Sequence, residues 1–518
     1  MTERDLFDAI TNVPDDLVEE ARTTPVKQTI RWVQWVALTA CAAVAATLVI
    51  VLYPHGEELP IVPNATVTSV KATTTTTQTT KKSTTKKESS QPAALTTTTK
   101  ASTRVAPFFP YIRNELVSHT HSLEPIVQVT DPEGTAFNDD AALEKIKANN
   151  PLRDDFKEAV NNFSYGVSSR LINRTIGNYV YSPYSLYYTY ASLQNGAAFA
   201  TRRSLSSMLR NSEMGGFPEQ CRRLYQRSYR QNKVGQFRIA NSFWINCNYP
   251  LRERFVEDNA KYFYASTHSV DFTKKDTGNA MRQWLSDNSG DTLTSTIDLG
   301  KDSSIAVLST ADFSDQWETG FNPSNTVKDR FSMGAKDYEL DFMVQMVKNA
   351  TYTRGENYTR SSLKLRNGSE MIFVLPDEGL WPSNLISGSL SIKAILGDTD
   401  TTKGTVHWKI PKFTITTQRD LRDVLKSSYS SNAFGKDADF SNISDDPLYV
   451  SHFIQGVSIS IGEAGVNTKA TPQMDSSGSG STPSEHDVYM TLNRPFMFAI
   501  RSPEGNLLHV GVYEDPRE

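Results

Sequence analysis

Cysteine is scarce in this chain of 518 residues, which contains only three. Cys41 lies in an apolar run, so Cys221 and Cys247 are the two that remain for the globular part. They could form a disulfide in an oxidising compartment, but the sequence alone does not bring the two thiols together. A disulfide and two separate buried thiols both stay open.

Histidine is also sparse, and the patterns of common enzyme classes are missing. None of the eight histidines lies in a recognisable nucleophile or zinc motif, and Gly-rich phosphate loops are absent. Carboxylate pairs such as Asp154-Asp155 are typical of a solvated surface. The net charge of −4 excludes a globally basic protein and gives no indication of nucleic-acid binding. We therefore expect a protein that is not an enzyme and that holds no metal.

One long apolar run interrupts the polar N-terminal region. Residues 32–53 carry no charged side chain, and at 1.5 Å per residue they reach about 33 Å, enough to span a bilayer. Trp32, Trp35 and Tyr53 lie at its two ends, where an aromatic belt is expected. A cleaved signal peptide has a shorter apolar core that lies nearer the N-terminus. The run predicts one transmembrane signal anchor in contact with the lipid bilayer.

The charges on either side of this run predict its orientation. Three basic residues lie between positions 22 and 31, and the first basic residue after the run is Lys71. The positive-inside rule then places residues 1–31 in the cytoplasm and the rest outside. We expect a type II membrane protein with an extracellular or luminal C-terminal domain, in the plasma membrane, a secretory compartment or a viral envelope.

Residues 54–107 are rich in Thr and Ser, with unbroken Thr runs at 73–77 and 96–99. Such a segment cannot bury apolar surface, and it predicts a disordered stalk, either O-glycosylated or an unmodified linker. All sequons for N-glycosylation follow the apolar run, which fits an extracellular or luminal domain. The candidate sites are Asn64, Asn162, Asn173, Asn349, Asn357, Asn367 and Asn442.

The globular domain is predicted to cover 108–518. Apolar residues recur at helical spacing between Phe156 and Leu171, and a Ser182-Pro183 pair begins a second helix that is predicted to end at Asn195. Strand-like runs are interspersed with the helices without a strict βαβ repeat. This arrangement predicts an α+β fold with large mixed sheets.

Six blocks of this domain follow one another along the chain and together cover roughly residues 150–518. The blocks are Ser182-Pro-Tyr-Ser-Leu with Gly196 and Thr201, Trp317-Glu with Phe321-Asn-Pro and Phe331, 371–378, 410–425, 432–451 and the C-terminal 493–516 with Asn493-Arg-Pro-Phe. Each block would be weak evidence by itself, but in this order they resemble the serpin family of serine protease inhibitors.

The resemblance implies the serpin fold, with three β-sheets, about nine helices and an exposed reactive-centre loop, here 463–485. In inhibitory serpins this loop is bait for a serine protease. After cleavage the loop enters the main sheet as a new strand and drags the acyl-enzyme with it, which releases stored strain. The resemblance implies no cofactor.

The start of the loop matches the family's hinge at Glu463 and Gly465, and the glycine supplies backbone freedom where the loop folds in. In an inserted strand, alternate residues face the core. The inward positions would be Val466, Thr468 and Ala470, and the outward ones Asn467, Lys469 and Thr471.

Pro472 departs from what insertion requires. It would point inward in a strand that is paired on both sides, where proline removes a ladder hydrogen bond. The Ser-rich run 476–481 beyond it has low β-propensity. Insertion could therefore start and then stall.

A second departure concerns the hydrogen-bonded cluster that the family has under the main sheet, which we call the shutter cluster. The helix serines Ser182 and Ser185 are retained. The family's Asn and His align with Ser309 and Gln455, so the resemblance implies a rebuilt network.

The position of the scissile bond can be estimated by counting residues forwards from Gly465 or backwards from Asn493, and the two estimates differ by several residues. All candidates are small or polar, and no Arg or Lys lies between Lys469 and Arg494, which favours an elastase-like over a trypsin-like target. The candidate scissile residues are Ser479, Gly480, Ser481 and Ser484.

Two hypotheses follow. The first is a membrane-tethered serpin that traps an extracellular serine protease. The second is a non-inhibitory surface glycoprotein with the same fold, in which Pro472 and the altered hinge block insertion and the domain binds an unknown surface protein.

Overall fold

The structure is a computed structural model that describes residues 123–174, 176–211, 214–295, 297, 299–397, 401–428, 431–468 and 487–517. The expected cytoplasmic segment, the apolar run 32–53 and the stalk 54–107 lie outside these residues, as does the domain boundary expected at 108. Within the described ranges, no helix combines the length and the apolar character that a bilayer crossing requires.

Nine α-helices form within the described ranges, which agrees with the expected number. They are α1 (Asp140–Asn149), α2 (Asp154–Asn173), α3 (Pro183–Gly196), α4 (Phe199–Leu209), α5 (Phe217–Ser228), α6 (Glu253–Phe263), α7 (Lys275–Asp287), α8 (Ser389–Leu396) and α9 (Arg422–Ser428). Three short 3₁₀ helices cover Pro323–Asn325, Pro382–Leu385 and Ser431–Phe434.

Helix α3 lies in the core of the domain, and its sequence explains both its start and its burial. The side chain of Ser182 accepts a hydrogen bond from the N–H of Ser185, and Pro183 occupies the first turn. Every residue of the helix except Asn195 is buried, including four tyrosines. A helix that is buried on every side belongs inside a protein, not on its surface.

The strands are β1 (Tyr179–Tyr181), β2 (Arg230–Gln231), β3 (Gln236–Asn246), β4 (Ala265–Val270), β5 (Ile305–Gln316), β6 (Val327–Met333), β7 (Lys336–Arg354), β8 (Tyr358–Lys364), β9 (Glu370–Pro376), β10 (Thr402–Pro411), β11 (Phe413–Asp420), β12 (Val450–Gly462), β13 (Gly465–Val466), β14 (Asp487–Thr491), β15 (Phe496–Arg501) and β16 (Leu507–Tyr513).

The main sheet follows the order β11, β12, β13, β5, β3, with β2 and β4 both paired to β3. Strands β5 and β12 are parallel and pair directly over 305–310 and 450–456. Toward the C-terminal ends of β5 and β12, which we call the upper part of the sheet, both strands pair instead with β13, which is antiparallel to both. The two central strands of the main sheet therefore separate about halfway along their length.

The other nine strands form one ladder that the long strand β7 divides in two. Its first part pairs with β6 and β10, and its last residues pair with β8. On one side of this division lie β8, β9, β15, β16 and β1, and on the other lie β6, β10 and β14. With the main sheet, these two parts make up the three sheets that the resemblance implied.

The main sheet separates a large core from a small one, because successive side chains of a strand point to opposite faces. Phe243 and Val307 face the large core around α3. Their neighbours Trp244 and Leu308 face the other side and belong to a cluster that includes Met281 of α7. Helix α7 therefore lies across one face of the main sheet.

The two described cysteines are separate. Cys221 in α5 and Cys247 after β3 are both buried free thiols. Burial raises the pKa of each thiol, so both are neutral. The sequence left open a disulfide or two separate buried thiols, and the structure shows two separate thiols.

Close packing of β16 against its neighbours predicts a position where a methyl group is not tolerated. A Cβ atom on Gly511 would lie 2.4 Å from the ring of Phe498 and 2.8 Å from the carbonyl oxygen of Tyr179. We expect Gly511→Ala to lower the free energy of unfolding by about 1–3 kcal/mol, the usual cost of overpacking, as measured by urea denaturation. Gly300→Ala is the control, because a Cβ atom there meets nothing within 4 Å. Equal urea midpoints for the two variants would contradict this packing.

Candidate functional site: the loop hinge and the gap in the main sheet

The candidate reactive loop begins at the end of β12 and ends at β14. The structure describes it from 463 to 468 and again from 487. The positions Ala470 and Pro472 of the expected hinge lie outside the described residues. So do all four candidate scissile residues, which are Ser479, Gly480, Ser481 and Ser484.

The base of the loop is fixed to the end of β5 by Trp317. Its backbone N–H donates to the carbonyl oxygen of Ala464 at 3.0 Å, and its indole N–H donates to that of Gly462 at 2.9 Å. The Glu463 carboxylate accepts from Lys412 and Thr326. Burial raises the pKa of Glu463, but these donors and its own backbone N–H outweigh it and hold the pKa below its ordinary value.

The next two residues already form a strand inside the main sheet. Gly465 pairs with Gly462 of β12 and with Gln316 of β5, and Val466 pairs with Ile461 and Asp315. Val466 is fully buried. Gly465 has a φ of 155°, and a Cβ atom there would lie 2.1 Å from the carbonyl oxygen of Asp315. A glycine is therefore required where the loop enters between the strands.

The alternation expected for the hinge stops at Asn467. Its φ of 47° lies in the left-handed region, so the chain leaves the extended conformation here. Its side chain, expected to face outward in an inserted strand, is half-buried and lies between β5 and β12. Thr468 is half-buried as well.

Below Asn467 lies the stretch where β5 and β12 no longer pair directly, which we call the gap. Two carbonyl groups of β5 face the gap and are satisfied by side chains instead of a strand. The Phe313 oxygen accepts from Asn467 at 2.8 Å, and the Ala311 oxygen lies 3.4 Å from the His509 ring. A buried backbone carbonyl without a partner costs free energy, so these two contacts stabilise the open edge.

The shutter cluster lies under the lower, paired part of the main sheet. Gln455 accepts from the backbone N–H of Ser182 at 3.0 Å, and its amide group donates to the Ser182 carbonyl at 3.1 Å and to the Ser309 hydroxyl at 3.3 Å. Ser185 Oγ lies 2.9 Å from Ser309 Oγ. The four residues named from the sequence are thus in one hydrogen-bonded group, which β3 extends through Asn241, 3.2 Å from Ser185.

His509 is fully buried beneath the gap, between the rings of Phe237 and Phe313. Burial lowers its pKa to about 4. The ring is therefore neutral at pH 7, and its Nε2 carries the hydrogen if it donates to Ala311.

Asp315 is a fully buried carboxylate directly under the hinge. It accepts hydrogen bonds from the backbone N–H of Gln316 and from both the backbone and side-chain nitrogens of Asn367. Burial raises the pKa of Asp315 to about 7, although these donors and the charge of Arg366 act in the opposite direction. The carboxylate next to Val466 therefore changes charge near neutral pH.

Six of the seven sequon asparagines lie among the described residues, and Asn64 lies outside them. Asn173, Asn349, Asn357 and Asn442 are exposed, whereas Asn162 and Asn367 are half-buried. The amide group of Asn367 is also bonded to Asp315 and Asn232. Glycosylation at these positions stays a prediction.

Sequence reasoning missed Asn241, Asp315 and His509, and it named Asn467 only as an outward position of an inserted strand. The alternation at the end of β5 was a usable signal for Asp315, because it places this residue on the same buried face as Ala311 and Phe313. The other three act only through pairings between segments far apart in the chain, which no local pattern shows.

The raised pKa of Asp315 predicts a dependence of stability on pH. The ordinary pKa of the group is 3.8, so the folded chain binds a proton more readily than the unfolded chain between about pH 4 and 7. Stability must then rise as the pH falls through 7. Between pH 8.5 and pH 6.5 we expect the free energy of unfolding to increase by about 1 kcal/mol, measured by thermal unfolding. Asp315→Asn should remove this rise, and an unchanged rise in that variant would assign it to another group.

The family model for Serpin (serine protease inhibitor) matches residues 158–516. The curated relatives are distant but cover most of the chain. An uncharacterized serpin-like protein of Methanosarcina mazei is 25% identical over 382 residues, which is 70% of this chain and 88% of that protein. Neuroserpin of Homo sapiens is 25% identical over 392 residues, or 70% of this chain and 92% of that protein.

Solved structures show the same fold. Serpin48 of the insect Tenebrio molitor superposes with a TM-score of 0.61 at 22% identity, covering 69% of this chain and 97% of that one. Human thyroxine-binding globulin, solved in complex with thyroxine, gives a TM-score of 0.62 at 20% identity and covers 70% and 99%. The family model matches most of the chain, and the structure has the loop hinge and the main sheet that the resemblance implied. This chain therefore belongs to the serpin family.

Proposed function

We propose that this chain is a membrane-tethered serpin whose loop, residues 463–485, is bait for a serine protease and then enters the main sheet. The single observation that carries this proposal is the hinge. Gly465 and Val466 already lie between β5 and β12 and pair with both. The entry point for a new central strand is therefore open at the place where the family's mechanism needs it.

The gap below the hinge supports the same function. Extending β13 downward would give the β5 carbonyls of Phe313 and Ala311 a strand partner in place of a side chain. It would also replace the direct β5–β12 pairing over 305–310 by pairing on both edges of the new strand. A strand paired on both sides gains about twice as many ladder hydrogen bonds as it disrupts, which is the driving force for insertion.

The loop composition supports an elastase-like target. No Lys or Arg lies between Lys469 and Arg494, and the candidate residues at the scissile bond are Ser or Gly. The apolar run 32–53 would tether the domain, with residues 54–107 as a stalk and the sequon asparagines as glycosylation sites. Location outside the cytoplasm and an extracellular serine protease as partner belong to this proposal.

One observation favours the second candidate function, a non-inhibitory binding module. If β13 is extended in its present register, Pro472 comes opposite Ser309 on β5 and Gln455 on β12. Each of these two strands places a shutter-cluster residue there. Insertion to this level separates β12 from β5 and therefore breaks the Gln455–Ser309 bond between them. Proline cannot donate a ladder hydrogen bond in return, so a strand that stops above this level would leave a binding domain.

Cleavage of the loop tests the proposal. We would cut the full-length chain in detergent within 476–484, confirm the cut by mass spectrometry, and compare melting temperatures before and after. Insertion predicts a rise far above the ~2–4 °C that 1 kcal/mol produces in a domain of this kind. The uncut chain carried through the same incubation is the control. No rise would rule out inhibition by insertion and leave the binding module.

Pro472→Ala tests how far insertion proceeds. Restoring an N–H in the middle of the strand should raise the free energy of unfolding of the cleaved form by about 1 kcal/mol and leave that of the uncut form unchanged. The uncut variant, mixed with an elastase-like protease, should also form more SDS-stable adduct than the uncut parent. Pro483→Ala is the matched control for a chain cut between Ser479 and Gly480, since this proline then lies beyond the cut and outside the inserted strand. If Pro472→Ala leaves the cleaved form as stable as the parent, Pro472 is not the obstacle.

A further inference from the structure

Asn467 makes an unusual set of hydrogen bonds for a residue that ends a strand. Its backbone N–H donates to the Ser460 carbonyl at 2.8 Å. Its side-chain oxygen accepts from the Ser460 N–H at 2.5 Å. Its side-chain nitrogen donates to Phe313 at 2.8 Å and to Ser458 at 2.9 Å. The two acceptors lie on opposite sides of the gap, so one amide group connects β5 to β12.

The strand register identifies what these bonds replace. Because Val466 pairs with Ile461, Asn467 stands opposite Ser460, and the two would exchange both backbone hydrogen bonds in a regular antiparallel ladder. The structure has the first of them. The second is absent because the chain turns away at a φ of 47°, and the side-chain oxygen takes the place of the Asn467 carbonyl.

The side-chain nitrogen replaces two further donors. In the present register, the Phe313 carbonyl faces Thr468, and the Ser458 carbonyl faces the position after it. In a continuing strand these carbonyls would accept the N–H groups of those two residues, since a central strand bonds alternately to its left and right neighbours. The NH₂ group of Asn467 supplies both hydrogens at once, and its oxygen supplies the matching acceptor.

We propose that the Asn467 side chain is a latch that ends β13 by imitating the next two residues of the strand, so that it must leave the gap before the loop can enter further. This inference rests on the proposed function, and it makes Asn467 a positioning residue for loop insertion. An asparagine side chain suits the role because it carries two donors and an acceptor in one plane.

The latch has two opposite effects on the molecule. It stabilises the present state, because three backbone groups of β5 and β12 stay satisfied at an opened edge. It also slows insertion, because Thr468 cannot reach Phe313 while the amide group occupies that carbonyl. Removing the latch should therefore lower the stability of the uncut chain and raise the rate of strand uptake.

The test compares the full-length chain with Asn467→Asp, which keeps the shape but has no N–H to donate to the two carbonyls. Asn467→Ala is the second variant. A fluorescent synthetic peptide with the sequence of residues 468–480, in which alanine replaces the proline, probes the main sheet. Uptake is followed by fluorescence anisotropy, and exchange of the Ser460 amide hydrogen is followed by mass spectrometry.

We expect both variants to take up the peptide about tenfold faster or more, since each loses the two hydrogen bonds to Phe313 and Ser458. The Ser460 amide hydrogen should exchange faster in Asn467→Ala, which also loses its acceptor, and should stay protected in Asn467→Asp, whose carboxylate still accepts it. Thr414→Ala is the matched control, because Thr414 bonds the Ser460 hydroxyl at 2.9 Å from the other side of β12. Its uptake rate should equal that of the parent.

Equal uptake rates in Asn467→Asp and the parent would overturn the latch, even if the Ser460 amide hydrogen of Asn467→Ala exchanges faster. Absence of uptake in all variants would overturn it as well, since the latch would then not be what limits entry. Failure of the proposed function gives a different result. In that case the variants still take up peptide faster, but the chain forms no adduct with any serine protease.

Discussion

The partial separation of β5 and β12 is the constraint on which the rest of the structure depends. Over 305–310 the two strands pair directly, but above this stretch their facing backbone groups have no strand between them until β13. Buried backbone groups need partners. Asn467 and His509 supply them from the side chains of two segments far apart in the chain. The hinge, the gap and its side-chain partners are therefore one arrangement.

This arrangement explains why polar groups that would be costly elsewhere lie under the hinge. Asp315 lies in β5 opposite Val466, where burial raises its pKa to about 7. Two hydrogen-bond donors of Asn367 offset part of the cost of burying this carboxylate. A hydrophobic residue in its place would leave the two Asn367 donors without that acceptor. The sheet edge is thus stable as it stands.

Much of the fold could be predicted because its signals are local or follow a family pattern. The Ser182-Pro183 pair marked the start of α3, and strand-like runs interspersed with helices marked the α+β class. The hinge residues were named from the family pattern alone. Asn467 could not be predicted, because alternation places it outward and only the left-handed backbone turns it into the gap. His509 belongs to a strand at the other end of the chain, and nothing in its neighbours indicates the Ala311 carbonyl.

The order in which an entering strand meets these groups bears on the choice between inhibitor and binding module. Counting down the present register, the strand first displaces Asn467 from Phe313, then reaches Ala311 and His509, and then comes level with Ser309 and Gln455. The first two steps exchange a side-chain partner for a backbone N–H, so each is nearly balanced. At the third level Pro472 has no N–H to offer, while the shutter cluster would lose the Gln455–Ser309 bond. In the proposed insertion, the free energy would therefore turn unfavourable at Pro472, whereas the hinge supports the start of insertion.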